Sequence, residues 1–242
     1  EVERSRLVLR STRTTTAHTC AVTNATSREA AVSDLGLLLS APMVRAALDG
    51  SKRMTRRALQ DRFVCVAVAP YGSRMRVKNV DSLHDPDGTG QRLVGRTKDG
   101  REVVVTHRYA PGDTVWFRET WWASPDVLAD RDRGTVAYRA DGEMPLHMAD
   151  ERWRSPIYMP RWAARLVFPL TTMRFERLQD ISDADCVAEG VIQAPRPDNW
   201  CFVPYAGIDP QSTPRAAYAA LWDSINGLGA WAANPWVVVF GW

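Results

Sequence analysis

Residues 35–57 read Leu35-Gly36-Leu37-Leu38-Leu39-Ser40-Ala41-Pro42-Met43-Val44-Arg45-Ala46-Ala47-Leu48-Asp49-Gly50-Ser51-Lys52-Arg53-Met54-Thr55-Arg56-Arg57. The run from Leu35 to Leu39 is short, continuous and apolar, which predicts a buried strand. A helix signal follows at once. Ser40 can cap, Pro42 suits the first turn, and Met43, Val44, Ala47 and Leu48 share one face. Gly50 is placed to end that helix, because glycine tolerates the left-handed backbone found just past a C-terminus.

Outward from this stretch the chain has 242 residues, enough for one large domain or two small ones with a sizeable core. Its 45% hydrophobic and 24% charged residues are ordinary for a globular chain and exclude fibrous and wholly disordered classes. The longest apolar runs fall far short of the roughly 18–20 residues of a bilayer helix, so no membrane partner is expected. Arg4, Arg6, Arg10 and Arg13 are followed by no apolar stretch, which argues against a signal peptide and makes the cytoplasm the expected compartment. Cys20, Cys65, Cys186 and Cys201, and His18, His84, His107 and His147, are too dispersed for the close ligand pairs of a zinc site. Neither a metal nor a cofactor is therefore expected.

Charge is unevenly spread. Between Met43 and Lys78 nine basic residues face two acidic ones, a density that attracts phosphate and makes a nucleotide or nucleic-acid partner plausible. A solvated basic face without a ligand is the equally ordinary alternative.

Residues 1–33, rich in Ser, Thr and Arg, read as a loosely ordered extension. Residues 34–242 read as a single domain with insertions near 71–100, 124–155 and 194–214, the first a long loop or hairpin. Strands are predicted at Glu102–His107 and Thr114–Arg118, with Pro111-Gly112-Asp113 turning between them. Arg165 to Leu178 is a strand pair or one bent strand broken at Pro169. Ser182 and Asp185 form a short capping box at the head of a helix that Gly190 ends, with Ile181 stapling onto Cys186. A last helix starts at Thr213-Pro214, placing Tyr218, Leu221, Trp222 and Ile225 on one stripe, and Trp236–Phe240 is a closing strand. Strand and helix do not alternate regularly, so a wound parallel sheet is disfavoured. The expected class is α+β: a small, partly closed β-barrel with flanking helices.

Asp49-Gly50-Ser51-Lys52-Arg53-Met54-Thr55-Arg56-Arg57 resembles the G-x-K-x-x-T-R-R signature of ASCH-domain proteins, in the PUA-like superfamily. Pro111-Gly112-Asp113-Thr114-Val115-Trp116-Phe117-Arg118-Glu119-Thr120-Trp121, Met159-Pro160-Arg161-Trp162, Leu178-Gln179-Asp180-Ile181-Ser182 and the Leu221–Asn226 and Asn234–Val237 segments are similar, in order, to its phage and prophage branch. The resemblance covers most of residues 35–240. It implies a PUA-like barrel whose cleft accepts a nucleobase. Through a small branch that hydrolyses N4-acylated cytidines, it implies a catalytic set at Lys52, Thr55 and Glu189. A modified cytosine nucleoside or nucleic acid would be the partner, and a non-catalytic RNA- or DNA-binding module the alternative.

The residue types suit that chemistry. Amide hydrolysis needs a nucleophile, a base, donors for the oxyanion and an acid for the departing amine. Thr55 can attack, a neutral Lys52 can take its proton, and Glu189 can protonate the leaving nitrogen; direct attack by water is the variant. Arg53, Arg56 and Arg57 would favour the neutral lysine and hold substrate. Arg118-Glu119-Thr120-Trp121 at a strand end forms a second candidate cluster, in which Arg118, Glu119 and Trp121, and separately Trp162, are substrate-binding candidates. Trp121, Trp122, Trp153 or Trp162 can stack a base, and Tyr205 with Asn199-Trp200 can form a lid. Each has an ordinary structural reading beside this: a lysine near a helix C-terminus, an exposed helical Glu, an Arg–Glu pair beside a packed Trp, core tryptophans.

Overall fold

The run that opens the domain extends as β1 (Asp34–Leu38), passes into α1 (Ala41–Leu48), and returns as β2 (Met54–Ala58) in this computed structural model. The structure describes residues 34–59, 64–68, 73–75, 80–107, 109–129, 135–142, 152–194, 199–202 and 209–242. The predicted extension over 1–33 lies outside the described residues. Next come β3 (Val64–Val68), β4 (Ser73–Met75), β5 (Val80–His84), β6 (Leu93–Thr97) and β7 (Glu102–His107). The middle of the chain forms β8 (Thr114–Arg118), β9 (Trp121–Ala123), α2 (Pro125–Ala129) and β10 (Val136–Tyr138). The last third supplies β11 (Val167–Pro169), β12 (Thr172–Arg177), α3 (Asp183–Ala188) and β13 (Ile192–Gln193). It closes with β14 (Trp200–Cys201), α4 (Pro214–Asn226) and β15 (Trp236–Gly241).

The fold is mixed α+β. Strands pair in the orders β4-β3-β7-β6-β5, β1-β8-β11 and β12-β15-β2, with β9-β10 and β13-β14 as separate two-stranded ribbons. Only the β1–β8 ladder is parallel among these described pairs. Among the described residues the sheets do not join into the closed ring that a complete barrel requires. One break is chemical: β11 ends at Pro169, which has no N–H to continue a ladder, so β11 and β12 enter different sheets.

The strand β15 organises the interior. Side chains alternate across a strand, and here Val238 and Phe240 enter a core with Leu35, Leu37, Val44, Val105, Val115 and Phe117. Val237 and Val239 enter a second core with Leu178, Ile181, Cys186, Tyr218, Leu221 and Trp222. All four β15 side chains are fully buried, and each contributes roughly 1.5–3 kcal/mol relative to exposure. The second core holds α3 and α4 against the β12-β15-β2 sheet, and this seats the candidate site.

Several local expectations change. The 71–100 stretch carries β4, β5 and β6 of the largest sheet, and Asp85-Pro86-Asp87-Gly88 turns between β5 and β6. Its Gly- and Asp-rich composition hides an alternation in which Leu93, Gly95 and Thr97 are buried. The 124–155 stretch includes α2 and β10, and 194–214 includes β14. In α1 the buried face is Val44, Ala46 and Ala47, whereas Leu48 is 49% exposed. In α4, Ile225 is 48% exposed while the rest of its stripe is buried.

Candidate functional site

Gly50, at φ +80°, turns the chain out of α1, and the Lys52 N–H donates to Ala46 O at 2.8 Å. This puts Lys52 beside the end of α3. Lys52 and Glu189 form an isolated antiparallel bridge, and Arg53 N donates to Ala188 O at 2.8 Å. Ser182 Oγ accepts from Asp185 N at 3.1 Å to start α3, and Glu189 sits at its other end. Gly190, at φ +101°, then redirects the chain. A Cβ there would lie 2.9 Å from the Phe202 ring and 3.4 Å from Lys52 Cβ, so glycine is required both by backbone and by space.

Lys52 Nζ donates to Glu189 Oε2 at 2.6 Å and to Glu189 O at 2.9 Å. The two residues are 1% and 3% exposed, and 137 positions separate them. Burial pulls the Lys52 pKa down. Glu189 opposes that fall, and Arg57 and Arg56 add to it.

Arg56 binds three carboxylates: Glu176 through Nε at 2.6 Å, Asp185 through Nη2 at 2.6 Å, and Glu189 through Nη1 at 3.2 Å. Arg174 meets the same Glu176 and Asp185 at 2.9 and 2.5 Å. Thus Lys52, Arg56 and Arg174 balance Glu176, Asp185 and Glu189. Burial alone would lower the Arg56 pKa, but Glu189 and Glu176 outweigh it and fix the guanidinium as a cation. Asp185 belongs to this network through its carboxylate, which is where the acid expected to close a capping box is directed. On the other side, Tyr218 OH donates to Glu189 Oε1 at 3.3 Å. Burial first, then the Glu189 charge, raises the Tyr218 pKa well above that of an ordinary phenol.

A cavity of about 340 Å³ opens at this point, between the end of β1, α1, β2 and α4. Thr55, Glu189, Tyr218 and Trp222 line it together with Leu39 and Met43. Thr55 is 3% exposed. The pair Lys52–Glu189 and the Thr55–Glu189 cavity wall thus share one carboxylate. Glu189 connects the buried Lys52 to a cavity that Thr55, Arg56 and Arg57 also line, an arrangement able to move a proton beside a bound ligand.

The other expected site residues are placed differently. Arg56 lines the cavity, but its guanidinium is held by protein carboxylates. Arg57 also lines it and donates to Leu38 O at 2.6 Å. Arg53 is exposed, and Arg45 donates to Ala140 O at 2.9 Å. The described half of the basic run is therefore largely engaged internally; Arg62, Arg76 and Lys78, and the side chain of Arg74, lie outside the described residues. Arg118 lies over the Trp116 ring at 4.7 Å. Glu119, 1% exposed, is gripped by Arg165 at 2.8 and 3.0 Å, and burial raises its pKa against that pull. Trp121 and Trp162 pack edge to face at 6.0 Å around a third core with Met159 and Ala163. Trp122 is 5% exposed, and Arg139 lies over Trp153 at 5.8 Å. Trp200 pairs in β14; Tyr205 lies outside the described residues.

Cys186 is buried, which pushes its thiol up to about 12, and Cys201 is partly exposed; both are free thiols. No group of three metal-ligating side chains occurs among the described residues, and none of their helices is long and apolar enough to cross a membrane. Sequence reasoning missed Tyr218, Arg174, Glu176 and Asp185 as members of the site. A signal existed for Asp185, which lies four residues before Glu189 and hence on the same helical face. Compared with known proteins, the chain matches no family, no curated protein and no solved structure at a significant level.

Proposed function

We propose that this chain is an amidohydrolase that removes the acyl group from N4-acylated cytosine nucleosides. The observation that carries the reading is the buried 2.6 Å Lys52–Glu189 pair, whose carboxylate lines a cavity with Thr55. The motif resemblance points to the same three positions.

The chemistry follows from the pair. Moving one proton from Lys52 Nζ to Glu189 Oε2 gives a neutral amine beside a carboxylic acid, the base and acid that the reaction needs. Burial of Lys52, which pulls its pKa down, eases the loss of its proton. Thr55 Oγ1 attacks the acyl carbon and gives its proton to Lys52. As the C–N bond breaks, Glu189 protonates the departing N4, and cytidine leaves with its amine restored. Water then attacks the acyl-threonine ester and gives a proton to Glu189. Lys52 returns its proton to Thr55 Oγ1 as the carboxylic acid departs, and the site is as it began.

The test is incubation with N4-acetylcytidine, followed by chromatography for cytidine. Cytidine release that disappears in Lys52→Met is expected. No release by folded protein at micromolar concentration would refute the reading. Thr55→Val separates the two nucleophiles: full retention of activity would assign the attack to water.

A further inference from the structure

We infer that the face formed by Arg118, Ile157, Tyr158 and Arg161 holds a single-stranded RNA, whose acylated cytosine enters the cavity. The inference rests on the reading of the cavity as an acylcytidine site and names a polymer as its substrate class. Val115 and Phe117 enter the first core, so Trp116 and Arg118 share the opposite face of β8. Gly36 lies beside Trp116 in β1, and a Cβ there would stand 2.8 Å from the indole and 3.2 Å from Arg118 Nε. Glycine thus lets both side chains lie down on the strand. Arg118 and Arg161 lie over the Trp116 ring at 4.7 and 5.6 Å, and Arg118 Nη1 donates to Ile157 O at 3.4 Å. Ile157 and Tyr158 are 62% and 78% exposed and belong to none of the three cores. Arg154, earlier in the same segment, is exposed over Trp121.

This face runs into the cavity mouth. Arg118 is the register partner of Leu38, and its carbonyl accepts from Leu39 N at 3.0 Å. Leu38 and Leu39 line the cavity, as does Arg57, which donates to Leu38 O at 2.6 Å. A guanidinium laid on an indole keeps its N–H edge for phosphate oxygens. Asp34 holds Arg161 at 3.0 Å, but both side chains are more than two-fifths exposed, and such a pair gives way to phosphate at little cost. Glu119 and Asp141 are taken by Arg165. Arginines around an exposed aromatic ring match a polyanion that carries bases, and the ring reaches only bases not already stacked in a duplex. A lipid surface fits less well, because two apolar side chains bury too little area to anchor on a bilayer.

The test is fluorescence anisotropy of a short, labelled, cytosine-rich RNA strand without acyl groups, titrated with the full-length chain, so that binding is read without turnover. Tyr158→Ala should weaken binding at least about fivefold and leave its salt dependence unchanged. Arg154→Gln and Arg161→Gln should each reduce the slope of log Kd against log salt by about 0.7. Arg101→Gln removes a 71% exposed arginine from the turn between β6 and β7 and should do neither. No binding by wild type at low salt and micromolar protein would overturn the inference, as would equal losses in Arg101→Gln. So would equally tight binding of the same strand annealed to its complement, or capture by phosphatidylserine vesicles with the same dependence on Tyr158. The expected pattern in a protein that hydrolyses nothing would keep the RNA face and sink only the hydrolase reading.

Discussion

Removing either partner of the Lys52–Glu189 pair should destabilise the protein, but by unequal amounts. In Lys52→Met, Glu189 keeps Arg56 at 3.2 Å and Tyr218 OH at 3.3 Å. What is lost is one charge-assisted hydrogen bond, worth about 1.5–3 kcal/mol. In Glu189→Gln, a lysine that is 1% exposed is left with only neutral acceptors, and Arg56 loses one of its three carboxylates. A buried cation stripped of its counterion costs about 3–5 kcal/mol. The double variant removes both charges, so its loss should be smaller than the sum of the two by at least about 1 kcal/mol. Urea unfolding at pH 7, followed by tryptophan fluorescence, measures all four corners of the cycle. Equal losses in the two single variants, or strict additivity, would refute the claim that Glu189 is the better-supported partner.

Other consequences are as specific. Gly190→Ala should cost about 1–3 kcal/mol, through its φ of +101° and the Phe202 ring 2.9 Å from the new Cβ; thermal melting checks it. Arg165→Met should cost about 3–5 kcal/mol by leaving buried Glu119 without its two guanidinium bonds; adding Glu119→Gln should recover part of that in urea unfolding. Burial lowers the His107 pKa to about 4, whereas an unfolded chain takes up that proton near pH 6.5. The unfolded state therefore binds more protons between those values, and stability should fall as pH drops through that window. The loss should be on the order of 2 kcal/mol between pH 7 and pH 5, and the urea midpoint of His107→Phe should respond less to pH.

Much of the fold was legible where local signals agree with tertiary structure. Leu35–Leu39 shows in its continuous apolar run, and the Pro42 helix start, the Pro169 break and the Thr213-Pro214 helix start rest on backbone chemistry that does not depend on distant partners. What escaped was decided by partners far along the chain. Met54–Ala58 contains two arginines and reads as polar, yet it is a strand because β15 pairs with it and because Glu176, Asp185 and Glu189 neutralise Arg56. The 71–100 stretch reads as a long loop or hairpin; the β5–β6 hairpin is there, but its membership with β4 in a five-stranded sheet depends on pairing with β3 and β7. At the site, Lys52, Thr55 and Glu189 were named by motif, whereas Tyr218 was read only as part of an apolar stripe. Its hydroxyl signalled a need for a buried partner, but sequence does not say which.

The central claim is that Lys52, Thr55 and Glu189 act together on an acylated amine. Turnover of N4-acetylcytidine, measured side by side for wild type, Lys52→Met and Glu189→Gln at a temperature where circular dichroism shows all three folded, tests it most directly. Cytidine release by wild type, reduced at least about a hundredfold in both variants, is the expected result. Release that survives undiminished in either variant, or none from wild type, would contradict it.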